Sequence, residues 1–324
     1  MLLIEEGNDY EDVDEADLPY SHLKNLGHGH SSIVEAVQDK VTKAIYARKT
    51  FKIPPSKTKR HEPIKVFRNE VKIIRNLGCH RHIIKVFATY TTTSNIGLIL
   101  QPVADEGDLE DFLATYWNAV RDVEDTSTPN PRLDGMKLVM RHAFGCLIRG
   151  LAFMHDKKVR HKDIKPRNIL IHNGRVIITD FGYSFDSNGR SRSATNGKPG
   201  PLTRKYSAIE VLQHEERDSR SDIYSLGCVF IELLSASSLV PDEFGCFSDN
   251  MHNIHQRLAL WEVPSELSTL PKTITRMTMP KPSDRWCALH TAIEILRTPG
   301  LCCEDCRLNP VDPNKKCVKE HGRT

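Results

Sequence analysis

Hydrophobic and polar positions alternate in the first third of the chain, and this pattern predicts β-strands. Apolar and β-branched residues follow a period of two in "SIVEAVQ" and "KAIYARK", which are separated by the turn-like "DKVTK". Two more such stretches, "HIIKVFATY" and "IGLILQ", follow within residues 82–101. Because a period of two places one face of a strand in the core, these stretches are predicted to be half-buried strands.

One helix is predicted among these strands, over "PIKVFRNEVKIIRNLG". It starts at Pro63 and ends at Gly78, and proline near the start with glycine after the end is the usual order in a helix. Its apolar residues recur on one helical face: Ile64, Phe67, Val71 and Ile74.

From about residue 109 the apolar period becomes helical, most clearly in "MKLVMRHAFGCLIRGLAFMH", and short β-like stretches return only in "NILIHNGRVIITD". The polar stretch "QPVADEGD" marks the joint between the two patterns. We predict an α+β fold, with a small mostly-β lobe carrying one main helix over residues 19–102 and a larger mostly helical lobe over residues 103–297. Residues 1–18 would be an acidic N-terminal tail and residues 298–324 a Cys-rich C-terminal tail.

Composition and charge narrow the class of protein only slightly. The 324 residues are 39% hydrophobic and 27% charged, which is globular and long enough for two lobes. Residues 1–18 hold eight acids and no Lys or Arg, and this block is predicted to be a mobile tail. Residues 48–85 hold twelve basic residues against two acids, which fits a nucleic-acid patch, a phosphate-ligand site or a solvated face.

The compartment is inferred from apolar runs and cysteines. No charged start followed by an apolar stretch and a small-residue cleavage site occurs, so no secretory signal is expected. The apolar run "IYSLGCVFIELLSASSLV" carries Glu232 near its middle and is predicted to be a buried helix, with no membrane span. An intracellular protein, cytoplasmic or nuclear, is expected, with its nine cysteines as reduced thiols.

Glycines and a lysine in the strand-rich part suit phosphate binding. Gly27 and Gly29 in "LGHGHSSIV" let backbone N–H groups approach phosphate oxygens, although an ordinary hairpin uses the same residues. Lys49 ends a strand and shares a face with Ala47, where a lysine is ordinarily a solvated surface residue. A functional role for Lys49 is favoured by Glu70 on the following helix, because its carboxylate can hold the ammonium by a charge-assisted hydrogen bond.

Two polar stretches in the second lobe hold carboxylates. The loop "VRHKDIKPRNIL" holds Asp163, Lys165 and Asn168 between apolar flanks, which suits a proton acceptor beside a metal and a phosphate. Asp180 in "ITDFGYS" ends an apolar run, and with Asn168 as a neutral oxygen ligand it suits Mg²⁺. Each motif alone has an ordinary alternative, such as a turn.

In this order the motifs resemble the signature of the eukaryotic protein kinases. The resemblance continues in "YSAIEVL", "SDIYSLGCVFIELL" and "KPSDRW", and it covers roughly residues 20–297. It implies a two-lobed protein-kinase-like fold with a small antiparallel sheet, and an enzyme that uses ATP and Mg²⁺. It also implies that Glu210 pairs with Arg285 and that Asp222 braces the loop of Asp163.

The resemblance gives the site residues their roles in phosphoryl transfer. Lys49, fixed by Glu70, is expected to hold the α- and β-phosphates beneath the glycine hairpin. Asp163 is expected to orient the substrate hydroxyl and accept its proton, and Lys165 to neutralise the γ-phosphate. Mg²⁺ is expected on Asn168 and Asp180. The adenine site is implied at five further residues: Val34, Ala47 and Leu170 on its faces, and the backbone of Gln101 and Val103 at its edge.

The residues around Lys165 indicate the substrate class. "DIKPRN" resembles the Ser/Thr-specific pattern, and Thr203 stands where Ser/Thr kinases place a threonine that contacts the catalytic aspartate and lysine. Small-molecule kinases of related fold usually lack the later motifs, so protein substrates are favoured. The alternative is a pseudokinase-type scaffold that binds nucleotide without efficient transfer. Nucleic-acid binding is not expected, because the basic block contains Lys49 and its helix.

Several positions depart from the family's pattern. Ser32 replaces a third glycine, and Ile209 replaces a proline without removing a catalytic atom. Lys162 replaces the arginine that usually receives a phosphorylated loop residue, and Pro199 occupies the usual acceptor position. Activity is therefore expected to depend little on phosphorylation there, and Arg167 is expected to disfavour arginine-rich substrates. Acceptors remain nearby at Ser191, Ser193 and Thr195.

The C-terminal tail holds a second candidate site. Cys303, Cys306, Cys317 and His321 have the form C-x2-C-x10-C-x3-H, a spacing that fits a tetrahedral zinc site. The alternatives are a loose tail with surface thiols and a tail docked on the larger lobe.

Overall fold

The strands of the first third form one sheet in a computed structural model, which describes residues 2–28, 32–54, 57–122, 129–187, 203–241, 244–310 and 312. They are β1 (Asp9–Tyr10), β2 (Tyr20–His28), β3 (Ser32–Asp39), β4 (Ile45–Lys52), β5 (Lys85–Thr91) and β6 (Asn95–Gln101). The order across the sheet is β1-β5-β6-β4-β3-β2. Neighbouring strands are antiparallel, except that β1 and β5 are parallel.

Cross-strand pairing places the predicted site residues of β3 and β4 on one face. Val34 lies opposite Lys49, and Ala36 lies opposite Ala47. Directly opposed residues of an antiparallel pair project to the same face, and so do residues two apart on one strand. Lys49 therefore shares its face with Val34 and Ala47.

The helix between β4 and β5, α1 (Lys57–Leu77), begins six residues earlier than predicted. Pro63 therefore lies inside it, where its ring nitrogen leaves one helical hydrogen bond unmade. The helix ends as predicted, because Gly78 follows it with a φ of 66°. Of the four predicted core residues only Ile74 is fully buried. The buried face is rotated and consists of Val66, Glu70, Ile73, Ile74 and Leu77.

The acidic N-terminal segment packs on the sheet, which differs from the expectation of a mobile tail over residues 1–18. Ile4 and Leu18 are each 4% exposed and join a small core with the outer face of the sheet. Asp9 in β1 accepts two hydrogen bonds from Arg75 of α1, at 2.8 and 2.7 Å. The hydrogen bond from Arg75 is the main reason that the pKa of Asp9 lies below its ordinary value. Two apolar anchors and one ion pair thus hold a segment whose composition alone suggests mobility.

The larger lobe is mostly helical, as predicted. Its helices are α2 (Leu109–Arg121), α3 (Pro131–Asp156), α4 (Ile209–Leu212), α5 (Arg220–Ser237), α6 (Phe247–Leu260), α7 (Leu270–Met277), α8 (Ala288–Leu296) and α9 (Glu304–Leu308). Its short strands are β7 (Val159–Arg160), β8 (Ile169–His172), β9 (Arg175–Ile178) and β10 (Phe185–Asp186). These strands frame the loops that carry Asp163 and Asp180.

The core of this lobe lies between α3 and α5. The rings of Phe144 and Phe230 meet edge to face there, with centroids 5.1 Å apart. Most of the apolar run at residues 223–240 is the buried part of α5, as expected. Among the described helices, none has the length and apolar character needed to cross a bilayer. The two-lobed α+β fold predicted from the sequence is confirmed.

The cysteines differ in part from the expectation of reduced thiols, because Cys287 is disulfide-bonded. Among the described residues seven cysteines are free: Cys79, Cys146, Cys228, Cys246, Cys302, Cys303 and Cys306.

Candidate active site

Lys49 joins the two lobes through its ammonium group. Its Nζ donates to both carboxylate oxygens of Glu70, at 2.9 and 2.8 Å, and to Oδ1 of Asp180 at 2.8 Å. Glu70 is fully buried and Lys49 is 7% exposed, whereas the side chain of Asp180 is 37% exposed. The small-lobe lysine, the helix glutamate and the large-lobe aspartate thus meet. The sequence predicts the contact of Lys49 with Glu70, and the contact with Asp180 is added by the structure.

Burial and charge oppose each other in this group. Burial alone would lower the pKa of Lys49, but the carboxylates of Glu70 and Asp180 outweigh it and raise the pKa above its ordinary value. Burial also acts to raise the pKa of Asp180, and the charge of Lys49 outweighs it, so that this pKa is lowered. Lys49 is therefore a cation and Asp180 an anion at neutral pH, which suits phosphate and metal binding respectively.

The loop between β7 and β8 holds the carboxylate of Asp163 on both oxygens. Lys165 donates to Oδ2 at 2.7 Å, and Asn168 donates to the same oxygen at 3.0 Å. Thr203 donates to Oδ1 at 3.1 Å and accepts from Lys165 at 2.9 Å. These contacts bring together the predicted aspartate, lysine, asparagine and threonine across 40 residues of chain.

Asp222, near the start of α5, braces this loop from beneath. Its carboxylate accepts the backbone N–H groups of His161 and Lys162, each at 2.8 Å, and a hydrogen bond from His155 at 3.1 Å. Burial alone would raise the pKa of Asp222, but these donors outweigh it and lower the pKa. The bracing is needed because Lys162 has a φ of 72°, a conformation that costs energy in an L-residue.

The side chain of Lys162 lies in a cationic environment. The residue is exposed on one side, but the protein around its ammonium excludes part of the solvent and so lowers its pKa. The positive charges of Arg160 and Arg217 lower this pKa further, against the opposing charge of Asp222. Arg160 in turn donates to the backbone carbonyl of Arg217 at 2.6 Å. Three basic residues thus gather beside the loop of Asp163. The acceptor positions considered from the sequence lie outside the described residues: Ser191, Ser193, Thr195 and Pro199.

The residues predicted for the adenine site come from both lobes. Val34 and Ala47 lie on the Lys49 face of the sheet, and Leu170 lies on β8 of the larger lobe. Gln101 ends β6 and Val103 follows in the connection, where both are partly buried. Gly27 pairs with Val34 in the hairpin, with open space where a side chain would stand, whereas Gly29 lies outside the described residues.

Glu210 and Arg285 form a buried bidentate pair. Arg285 donates through Nη1 and Nη2 to the two carboxylate oxygens at 2.6 and 2.9 Å, and its side chain is fully buried. The same guanidinium donates to the carbonyls of Met279 and Pro280, at 2.6 and 2.8 Å. Ile209, which replaces the family's proline, is the first residue of α4 and is 38% exposed. The pair predicted from the sequence therefore forms without that proline.

Arg167 has a partner that sequence reasoning missed. It pairs with Glu110 in the first turn of α2, with nitrogen–oxygen distances of 2.7 and 3.0 Å. Both side chains are well exposed. The positive charge of Arg167 is therefore partly neutralised, which weakens the repulsion of basic substrates that the sequence analysis expected.

Asn69 is a further site residue that no motif indicated. From α1 its amide donates to the backbone carbonyls of Gly182 and Ser184, each at 2.9 Å. Gly182 is itself tightly packed, since an added Cβ would lie 2.7 Å from a methyl of Val66. Asn69 thus holds the segment that follows Asp180 against α1. Its only signal in the sequence is a polar residue next to Glu70.

Comparison with known proteins defines the class. A family model for the protein kinase domain matches residues 20–298, and the chain therefore belongs to the protein kinase domain family. The family membership and fold predicted from the sequence are confirmed, whereas the roles of individual residues remain predictions.

The chain is similar to several curated protein kinases, among them one named as a serine/threonine-protein kinase. Serine/threonine-protein kinase Nek11 of Homo sapiens is 25% identical over 309 residues, which cover 93% of this chain and 44% of that protein. Aurora kinase of Yarrowia lipolytica is 32% identical over 212 residues, 65% of this chain and 50% of that protein. Mitogen-activated protein kinase kinase 2 of Arabidopsis thaliana is 30% identical over 212 residues, 65% and 52% respectively. The chain spans about half the length of these curated relatives.

Proposed function

We propose that this chain transfers the γ-phosphate of ATP to Ser or Thr hydroxyls of protein substrates, with Mg²⁺ as its cofactor. The observation that supports this most strongly is the contact of Lys49 with both Glu70 and Asp180, because it brings the phosphate-binding and metal-binding motifs of the two lobes together. When bound, Mg·ATP supplies the phosphoryl group and a divalent charge that offsets the phosphates.

The side chains present fit this co-substrate and metal. Asp180 offers a partly exposed carboxylate. The amide nitrogen of Asn168 donates hydrogen bonds to Asp163, which leaves its amide oxygen as a ligand for a cation. A few oxygen ligands of this kind are what Mg²⁺ prefers beside substrate phosphates. Lys49 is expected to donate to the α- and β-phosphates while Glu70 keeps its ammonium in place. Val34, Ala47 and Leu170 would pack on adenine, with the backbone of Gln101 and Val103 at its edge.

Asp163 is the proposed proton acceptor. Lys165, Asn168 and Thr203 fix its carboxylate by hydrogen bonds, so its orientation requires no reorganisation when a hydroxyl approaches. The ammonium of Lys165, 2.7 Å from that carboxylate, would also neutralise charge that spreads over the transferred phosphoryl group. Thr203 closes this group, which supports Ser and Thr as the acceptors.

The acceptor specificity is tested by phosphoamino-acid analysis. Purified chain is incubated with labelled Mg·ATP and a mixed Ser, Thr and Tyr peptide library, and the label should appear on Ser and Thr. Label confined to Tyr would contradict the assignment. Absence of transfer together with measurable nucleotide binding would favour the scaffold alternative.

Lys162 and Arg167 bear on control and substrate preference. We propose that phosphorylation at the family's usual loop position is not needed, because Lys162 and Pro199 replace both halves of that switch. The triple variant with alanine at Ser191, Ser193 and Thr195 should keep most of its kinase activity. Loss of that activity in the triple variant, with recovery when the same positions carry acidic residues, would contradict this proposal.

Arg167 is proposed to influence the choice of substrate. Arg167→Glu should raise the turnover of peptides that carry arginine before the acceptor, relative to the unmodified chain.

A further inference from the structure

Four potential metal ligands converge where the C-terminal segment meets the larger lobe. Nε2 of His82 and the Sγ atoms of Cys146, Cys303 and Cys306 all lie within 4.8 Å of one another. Two of the zinc ligands predicted from the sequence, Cys303 and Cys306, are thus in a group, but with two residues of the kinase domain that the sequence analysis did not consider. The other two predicted ligands, Cys317 and His321, lie outside the described residues.

The distances approach those of a tetrahedral zinc site. Zinc bonds of about 2.3 Å to sulfur and about 2.1 Å to nitrogen require a sulfur–nitrogen edge of about 3.6 Å and a sulfur–sulfur edge of about 3.8 Å. Nε2 of His82 lies 3.2 Å from Sγ of Cys306 and 3.5 Å from Sγ of Cys303. Small side-chain rotations would therefore complete the tetrahedron.

The surrounding hydrogen bonds orient the ligand atoms. Nδ1 of His82 lies 2.8 Å from the backbone carbonyl of Val176, and since a carbonyl can only accept, Nδ1 carries the proton. Nε2 then presents its lone pair to the thiols, which is how metal-ligating histidines are usually held. The backbone N–H of Cys303 donates to Sγ of Cys146 at 3.2 Å, a contact that stabilises a thiolate.

The backbone around the group is held closely on both sides. His82 is flanked by backbone hydrogen bonds to β9, from Ile178 N–H to the His82 carbonyl at 2.9 Å and from Ile84 N–H to the Ile178 carbonyl at 3.0 Å. On the other side Gly145 donates to the carbonyl of Leu301 at 2.8 Å, and an added Cβ at Gly145 would lie 2.5 Å from that oxygen. The residue before Cys146 thus allows the C-terminal segment to approach α3.

Burial and charge favour a closed structural site. His82, Cys146 and Cys306 are at most 4% exposed, and Cys303 is partly buried. Three thiolates and one imidazole satisfy zinc with no open position, the arrangement of structural sites. Arg149 donates to the backbone carbonyl of Cys306 at 3.1 Å and offsets the net negative charge of such a centre.

We propose that His82, Cys146, Cys303 and Cys306 bind one structural Zn²⁺ ion. The three thiols lose their protons to solvent as three sulfur–zinc bonds form, and no oxidation or reduction takes place. The ion ties together three parts of the chain: the connection between α1 and β5, the helix α3, and the segment after α8. It would therefore fix the connection that follows the Glu70 helix to the larger lobe.

The primary experiment is metal analysis of the full chain. The chain is produced without a histidine tag, dialysed against metal-free buffer, and its zinc is measured by mass spectrometry. We expect about one zinc ion per folded chain. This measurement needs no substrate and is therefore independent of the proposed kinase activity. A chain without zinc can still transfer phosphate, and a chain with zinc can lack transfer, so the two proposals fail separately. Folded wild type that holds no zinc, even after refolding with Zn²⁺, would overturn the proposal.

Matched variants identify the ligands. Cys306→Ser should lower the zinc content at least about ten-fold, whereas Cys302→Ser, in the same segment but outside the group, should retain it. The double variant with Cys317→Ser and His321→Ala should also retain it. Cys146 belongs to the group but not to the tail motif, whereas Cys306 belongs to both. Loss of zinc in that double variant with retention in Cys146→Ser would therefore overturn the assignment in favour of the tail motif.

Cobalt replacement covers the case in which Cys306→Ser fails to fold. Wild type loaded with Co²⁺ should show the strong visible absorption of tetrahedral cobalt and the charge-transfer bands of thiolate ligands. Octahedral cobalt without thiolate bands would contradict the site. So would a disulfide between any two of Cys146, Cys303 and Cys306 in peptide mapping of freshly purified, non-reduced chain.

Discussion

Replacement of Arg285 by alanine should destabilise the larger lobe strongly. The guanidinium is fully buried and makes two charge-assisted hydrogen bonds to Glu210. At 2.6 Å and an effective dielectric constant of about 20, the Coulomb attraction is at most about 6 kcal/mol, and desolvation of both charges offsets much of it. Arg285→Ala leaves the Glu210 carboxylate buried with the Ser221 hydroxyl as its remaining side-chain donor at 3.1 Å. Removing one partner of such a pair costs about 3–5 kcal/mol, and we expect the lower part of that range.

Urea unfolding followed by tryptophan fluorescence measures this loss. All three tryptophans lie in the larger lobe, and Trp286 is adjacent to Arg285, so the signal reports the affected region. The matched control is Arg297→Ala, which removes an Arg–Glu pair whose arginine is 67% exposed and should cost less than about 1 kcal/mol. Equal losses in the two variants would refute the reasoning from burial.

Three further predictions follow from the same contacts. Glu70→Gln keeps the shape of the side chain but leaves the Lys49 ammonium with one carboxylate. In a steady-state assay, kcat/KM for peptide phosphorylation should therefore fall about ten- to a hundred-fold. An unchanged value would contradict the role of the pair. Ile209→Pro should raise the free energy of unfolding in urea by about 0.4–1 kcal/mol, since Ile209 is the first residue of α4 and the preceding residue is already extended with ψ of 156°. A lower free energy of unfolding would show that the backbone at this position does not accept proline. The pKa of Asp222 is lowered from 3.8 on folding, so the ionised carboxylate stabilises the folded state above that pH, and this stabilisation is lost as the pH falls further. Asp222→Asn should therefore have a lower free energy of unfolding than wild type at pH 7. In urea titrations at acid pH the difference between the two chains should narrow.

The sequence predicts the parts of the site whose signals are local. Lys49, Asp163 and Asp180 stand in short motifs whose residue types and order are informative without any structure. The strands and the helical lobe follow from periods of two and of about 3.6 residues. These patterns give the type and order of the elements, but in α1 the buried face is rotated from the predicted one. The contact of Lys49 with Glu70 and the pair of Glu210 with Arg285 then follow from the family resemblance.

Other contacts between residues that lie far apart in the chain could not be predicted, even where one of the residues, such as Cys306, was itself a candidate ligand. His82 and Cys306 are 224 positions apart, and neither has a periodic or motif signal that links them. Asn69 reads as one more polar residue of an exposed helix face until the carbonyls of Gly182 and Ser184 are placed beside it. Hydrogen bonds across such separations depend on tertiary packing, which a single sequence does not encode in any local pattern.

The N-terminal segment and α1 show two other failures of local reasoning. The acidic composition of residues 1–18 predicts a mobile tail. Composition does not show where the few apolar residues pack, and two of them, Ile4 and Leu18, anchor this acidic segment to the sheet. The start of α1 was missed because "KTKRHE" has no apolar residue to show a period, and proline is a common first residue of a helix.

The central claim is that this protein kinase domain catalyses transfer through Asp163, and the most direct test compares wild type with Asp163→Asn. Both chains receive labelled Mg·ATP and the Ser/Thr peptide library, with Asp134→Asn, an exposed carboxylate of α3, as the control. We predict that wild type and the control transfer label and that Asp163→Asn is slower by about 10²–10⁴ while still binding nucleotide. Equal rates in all three chains, or no transfer by wild type, including after Lys162→Arg, would contradict the account.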